Sequence, residues 1–340
     1  MKRRTFICAT AAMALSSTTL ARSLARPVAS FSKKSPYLES LGLNLNSIRN
    51  ELAMDQANTL QAVADAGFKQ VELASTMDGG EVVKISRDLG MAVNSAFFNW
   101  KTIVAPDEAD VPSIEAVIEK AAELELKYLV LGYIGKGFRE SVEKFKLYAD
   151  AGSVAGEKCR EADIQLCYHN HSFEFKPLEE GVSGMDIFIE RFHQDLVKFE
   201  LDLFWAKLGG KQPGRLLGQL DGRVAQVHLK NVKKKSPQQF DENKVPEDQF
   251  VELADGAIKY EALLPKFEEI GVEHCHIAQD YSPNPLESMA ANHKSFAKLV
   301  EVAKEPAKKE GAAWEGEEHG EEHEHDHDHD HVHKPRGGVF

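Results

Sequence analysis

In the stretch "LCYHNHSFEF", His169 and His171 stand two residues apart, with Glu174 three further on, directly after an apolar run. Alternation along an extended strand puts both imidazoles on one face, and imidazole and carboxylate groups are ligands for divalent metals. Three later stretches repeat the pattern. "FELDLFW" carries Glu200 and Asp202, "AQVHLK" carries Gln226, His228 and Lys230, and "HCHIAQD" carries His274, His276 and, past Ala278, Asp280. One histidine at a strand end is most often a satisfied structural residue; four neighbouring stretches that bring His or carboxylate to one place are not. A mixed Asp/His set without a cysteine pair suits Mn²⁺, Mg²⁺, Co²⁺ or Zn²⁺ and leaves coordination positions for substrate oxygens. An ion chelating adjacent hydroxyl and carbonyl oxygens acidifies the carbon between them and stabilises an enediolate, while a side chain moves the proton. That is the chemistry of sugar isomerases, epimerases and some dehydratases.

Such a set needs a scaffold that delivers strand ends to one mouth. Short apolar or β-branched runs start at Leu41, Gln70, Ala92, Tyr128, Gln165, Val197, Val224 and His274. Helix-length segments with apolar residues at 3.6-type spacing lie between them, such as "TLQAVADAGF" and "SIEAVIEKAAELEL". Eight strands alternating with helices read as parallel β/α units. No G-x-G-x-x-G follows the first strand, which argues against a dinucleotide-binding sheet. The expected fold is one (β/α)8 TIM barrel over residues 40–304, with active residues at the C-terminal strand ends.

The segments "CYHNHSFEF", "ELDLFWAKLGGKQPGRLL" and "GRVAQVHLKN", with "LGLNLNSIRNEL" and "TLQAVADAGFKQVELAS" near the start, resemble the sugar phosphate isomerase/epimerase family of xylose-isomerase-like barrels. The similarity runs from about Leu41 to Val302. The resemblance implies a divalent metal held at the ends of strands five to eight. Asp202 and His228 match the ligands of the sixth and seventh strands, and His169 falls where many relatives carry a glutamate. His171 and Glu174 belong to an HNH-x-x-EF variant that binds metal or substrate. The departures are as informative. Relatives usually end the eighth strand with Glu-Gln-Asp, and here Ala278 replaces the ligand glutamate, followed by Gln279 and Asp280. Asn231 and Asn44 stand where relatives have Asp and Gln. Asp280, or His276 one step deeper, are the candidates to replace the lost ligand. Proton transfer then needs another group, and Glu174, Lys230 and Glu72 have suitable chemistry. Asn44, Trp205 and Gln279 are the candidate substrate contacts.

The flanks differ in composition from the middle. Met1–Ala25 has a basic start, a mildly apolar stretch and small residues where cleavage could fall, the layout of an export signal. Arg3-Arg4 gives it a twin-arginine look, an ordinary secretory signal being the alternative. Its apolar stretch is shorter than the ~20 residues a membrane span needs, so no membrane anchor is expected. A periplasmic or otherwise exported barrel follows, joined through a linker at 26–39. From residue 305 the chain becomes acidic and histidine-rich, and its low apolar content predicts disorder. There His323, His325, His327, His329, His331 and His333 alternate mostly with carboxylates and could wrap a divalent ion, either incidentally or as a metal supply. Outside the export segment, Cys159, Cys167 and Cys275 remain, an odd number that predicts core thiols and no disulfide framework.

The chain carries 54 acids against 41 Lys and Arg, a net charge of −13, with no basic face, so a nucleic-acid partner is excluded. The expected partner is a small-molecule sugar or polyol, and a homodimer is compatible with the sequence. The leading expectation is a metal-dependent isomerase or epimerase, or a related dehydratase or lyase, working through an enediolate-type intermediate. The alternative is a catalytically impaired exported barrel that binds carbohydrate or metal, favoured by Ala278.

Overall fold

The computed structural model describes residues 35–304. The expected export segment, the linker as far as residue 34 and the tail from 305, with the alternating histidines from His323 to His333, lie outside the described residues. Each apolar run becomes a strand: β1 (Gly42–Asn44), β2 (Gln70–Leu73), β3 (Ala92–Phe98), β4 (Tyr128–Leu131), β5 (Gln165–His169), β6 (Val197–Asp202) and β7 (Val224–Leu229). A short antiparallel pair, β8 (Asn231–Val232) with β9 (Phe250–Val251), follows, and then β10 (His274–Ile277). The eight long-range strands close in the order β1-β10-β7-β6-β5-β4-β3-β2, all neighbours parallel. This is the expected (β/α)8 barrel.

Helices start where the sequence offers oxygen acceptors to their free amides. Ser113 caps Ile114–Glu123, Ser141 caps Val142–Glu161, and Ser183 with Asp186 forms a reciprocal capping box on Gly184–Arg191. Outward strand residues such as Leu129, Leu131, Leu166, Tyr168, Leu201 and Val227 are buried beneath this helical layer, each large apolar side chain contributing roughly 1.5–3 kcal/mol. The long helix Val142–Glu161 lies so close to the chain entering β6 that a Cβ on Gly156 would come within 2.6 Å of the Leu196 carbonyl oxygen. Only glycine permits that approach.

The end of the expected linker is folded: Pro36–Glu39 forms one helical turn, and buried Tyr37 donates its hydroxyl hydrogen bond to the Val272 carbonyl. Burial of a tyrosine with its hydroxyl satisfied outweighs the polar character of the surrounding sequence. Cys159, Cys167 and Cys275 are free and buried, as expected for core thiols. Among the described residues, no helix is long and apolar enough to cross a membrane.

The floor of the barrel is polar. Tyr128 on β4 donates a 2.8 Å hydrogen bond to Glu273, just before β10 on the opposite wall, and its ring meets His274 edge-on at 5.3 Å. Gln70 adds contacts to the Ser40 carbonyl and to His274. These groups close the N-terminal end.

Candidate metal centre

Three strand ends meet at the mouth. His169 ends β5, Asp202 ends β6, and His228 is the penultimate residue of β7. Each offers one ligand atom, and the three atoms lie within 4.8 Å of one another. His169 Nε2 is 4.0 Å and His228 Nδ1 3.9 Å from Asp202 Oδ2. Asp202 is oriented twice over. Its Oδ1 accepts from the Trp205 amide as the cap of helix Leu203–Leu208, and its backbone is bonded in both directions to Asn170. Its Oδ2 is fully buried and makes no hydrogen bond, though Lys230 Nζ stands 3.0 Å away. A buried carboxylate oxygen whose one close partner is the Lys230 ammonium, facing His169 Nε2 and His228 Nδ1, is a donor set that fits a divalent ion.

His228 is held from the other side. Its Nε2 donates a 2.7 Å hydrogen bond to Glu72, whose carboxylate also accepts from Asn44 Nδ2 and Ser95 Oγ, each at 2.7 Å. A carboxylate that fixes the far nitrogen of a ligating histidine sets its tautomer and raises its basicity. Burial works against the Glu72 charge, but His276, His228 and the hydrogen bonds outweigh it and hold its pKa low. Glu200 is the reverse case: burial and the nearby Glu72 raise its pKa well above the usual carboxylate range. Burial likewise disfavours the His228 cation, yet Glu200 and Glu72 prevail and lift it to about 10. His169, desolvated beside His228, is pushed well below the ordinary imidazole value.

Two register shifts aim the carboxylates. β2 and β3 slip between Val71 and Glu72, and β6 and β7 slip between Phe199 and Glu200. Such bulges re-aim side chains next to sites. Neither is legible in the sequence.

The structure gives the other expected site residues distinct surroundings. Lys230 Nζ, almost fully buried, bridges Asp202 at 3.0 Å and Asp280 at 2.8 Å, with Trp205 5.4 Å beneath. Asp280 thus pairs with lysine and belongs to neither group of candidate ligands. His171 also lies outside them, in an aromatic cage of Tyr133, Trp205, Phe173 and His169. The physical reason is common to both: β5 stops at His169 and β10 at Ile277, so strand alternation no longer fixes where the next residues point. Burial lowers the His171 pKa to about 4. Gln279 accepts from Asn292 on the last helix, and its amide donates to Ser47; Asn44 serves Glu72.

Glu174 sits behind the wall. It accepts from the Tyr168 hydroxyl at 2.7 Å and from the His171 amide at 2.9 Å, so it positions the loop that carries His171. Burial raises its pKa to about 7, against partial opposition from those hydrogen bonds. A buried acid with a raised pKa favours the protonated fold, so its stabilising effect fades as pH climbs from the unfolded carboxyl value through 7. Wild type is therefore expected to lose about 2–3 kcal/mol between pH 5 and pH 8 that Glu174→Gln does not lose. Urea midpoints of both proteins at the two pH values check this; equal slopes would refute it.

Further residues complete the site. His276, a candidate replacement ligand by sequence, and Glu200, marked there only by its inward strand parity, are fully buried beside Glu72 and His228. Arg139, stacked 3.5 Å over Phe173, pairs with Glu242 at 2.7 Å, which also accepts from the Tyr133 hydroxyl. This clamp ties the loop after β4 to the insertion around β8 and β9, between residues 103 positions apart. No local pattern announces it.

A family model for the xylose isomerase-like TIM barrel matches residues 60–304. The chain belongs to that family. Xylose isomerase-like barrels of known structure superpose across most of it. A sugar phosphate isomerase/epimerase from Parabacteroides distasonis is 20% identical, with TM-score 0.62, covering 76% of this chain and 99% of its own. An L-ribulose 3-epimerase is 15% identical at TM-score 0.55, covering 78% and 95%. A xylose isomerase-like TIM barrel protein from Mycobacterium smegmatis, in complex with magnesium, is also 15% identical at TM-score 0.55, covering 78% and 97%. At these identities the likeness shows the shared fold. No curated protein matches the sequence significantly.

Proposed function

We propose that this xylose isomerase-like barrel is a metal-dependent isomerase or epimerase, or a close dehydratase or lyase relative, acting on a sugar, keto-sugar or polyol. The observation that carries this reading is the convergence of His169 Nε2, Asp202 Oδ2 and His228 Nδ1 beside a buried lysine. A divalent ion at these three residues supplies Lewis-acid polarisation of adjacent hydroxyl and carbonyl oxygens. The surrounding side chains do the rest. Burial opposes the Lys230 charge, but Asp202 and Asp280 outweigh it and raise its pKa, so Lys230 is a fixed cation suited to stabilising an enolate oxygen. His171, neutral at pH 7 with its Nδ1 unpaired, is suited to accepting a proton. Trp205 and Tyr133 offer apolar faces to a sugar ring.

The Arg3-Arg4 start supports export, and export favours a free or oxidised sugar, since phosphorylated sugars are mainly cytoplasmic. The alternating tail histidines support weak capture of the same class of ion. Ala278, buried at the end of β10 where relatives have a ligand glutamate, favours a second reading, a barrel that binds sugar without turnover.

Proton exchange separates the two. Wild type loaded with Mn²⁺ is expected to exchange a carbon-bound proton of a keto-sugar with D₂O, read by NMR, and Ala278→Glu to exchange it faster. Exchange in Ala278→Glu alone would favour the impaired barrel. Exchange in neither, across a panel of pentuloses and hexuloses, would refute the enolate route.

A further inference from the structure

Parallel β/α barrels ordinarily fill their interior with branched apolar side chains. Here the lumen below the mouth holds Glu72, Ser95, Glu200, Gln226 and His276, all fully buried. Apolar packing is confined to Tyr128, Val130, Cys167 and Ala225, with Phe97 against them. Glu72 is amply bonded, but Glu200 makes no hydrogen bond through either oxygen, and His276 makes none through either ring nitrogen. Glu200 has only the ring nitrogens of His169 and His228 near it, at 3.3 and 3.4 Å, and a buried carboxylate and imidazole without hydrogen bonds are costly unless something else satisfies them.

The four groups are spaced for a common partner. Glu72, Glu200, His228 and His276 each offer a ligand atom, all within 4.8 Å of one another. Glu200 Oε1 is 3.4 Å from His228 Nε2 and 4.0 Å from His276 Nδ1. Atoms sharing an ion at about 2.1 Å lie within roughly 4 Å of each other, so a small contraction completes the sphere. The neighbouring strand makes room: a Cβ on Gly42, the register partner of His276 on β1, would lie 2.2 Å from His276 Cδ2, so only glycine there lets the imidazole stand in the lumen.

We propose that Glu72, Glu200, His228 Nε2 and His276 form a second divalent-cation site, stacked beneath the first. His228 would serve both sites as a bridging imidazolate, with Nδ1 toward Asp202 and Nε2 toward the lower group, the proton that Nε2 otherwise donates to Glu72 being released to solvent as the lower ion binds. Two carboxylates and two imidazoles suit Mn²⁺, Co²⁺ or Zn²⁺. The lower site shares only His228 with the upper set and does not depend on turnover, so it stands or falls separately from the isomerase reading.

The test uses the full chain with all seven tail histidines, His319, His323, His325, His327, His329, His331 and His333, changed to asparagine, so that the tail contributes no imidazole ligand. Titration with Co²⁺, followed by visible absorption, is expected to end at two equivalents, and ¹¹³Cd NMR of the same protein to give two resonances. His276→Phe and Glu200→Gln are each expected to remove one equivalent and leave the other, while Asp202→Asn weakens the one they leave. A single equivalent and a single resonance, abolished by Asp202→Asn and untouched by His276→Phe, would overturn the second site. The unsubstituted lumen decides through the NMR count even if a variant fails to fold.

Discussion

Lys230→Met is expected to lower the unfolding free energy by about 3–5 kcal/mol at pH 7. The lysine lies between Asp202, which is fully buried, and Asp280, which is about one-third exposed. Removing the cation leaves the two acids in unequal positions. Asp280 can rehydrate, whereas Asp202 keeps only the Trp205 amide on Oδ1 and has nothing on Oδ2. Burial already raises the Asp202 pKa against the pull of Lys230 and His228. Without Lys230 the carboxyl must protonate or stay charged in a poor solvent, and either outcome costs stability. Chemical denaturation in the presence of chelator measures the loss. The double variant Lys230→Met/Asp202→Asn should recover much of it, because both partners are then neutral. A single-variant loss under about 1 kcal/mol would mean that His228 neutralises Asp202 by itself.

Asp202→Asn is expected to weaken the upper metal site at least about a hundredfold while leaving the fold intact. Asparagine keeps an oxygen to cap helix Leu203–Leu208 and keeps the backbone bonds to Asn170. It removes the one anionic ligand of the upper set, leaving two neutral imidazoles, and Ala278 offers no carboxylate to compensate. With three protein ligands and one carboxylate among them, the sensitivity should be steep. Competition between the protein and a chromogenic chelator for Co²⁺ gives the affinity directly. An unchanged affinity would place the ion elsewhere, with the lower group as the first place to look.

What the sequence made legible follows from how far strand alternation reaches. β3 spans the run that starts at Ala92, and His169, Asp202 and His228 point inward because each lies within a strand whose partner faces are buried. Lys230 remained legible one residue past β7, since its carboxylate partners draw it to the mouth. His171, Glu174 and Asp280 were not, because each follows a strand end and its direction is set by contacts made after folding. Glu174 shows this best: a single 3₁₀ turn, Phe173–Phe175, tucks it beneath Tyr168 on the outer side of the wall. Glu200 and His276 had the right parity but matched no metal-binding motif. The bulges beside Glu72 and Glu200, and the Arg139–Glu242 clamp, depend on register and tertiary contact that no single segment encodes.

The polar floor made by Tyr128, Glu273, Gln70 and His274 gives the barrel a bottom without a door. Ions that enter from the mouth then pass His169 and Asp202 before they reach the lower group, so two stacked sites would behave as a magazine: the first ion loaded is the last one out. A chelator would strip the pair in strict sequence, and an occupied upper position would trap its lower neighbour on a timescale set by the upper one. Opening the floor at Tyr128 would turn that queue into two independent exits.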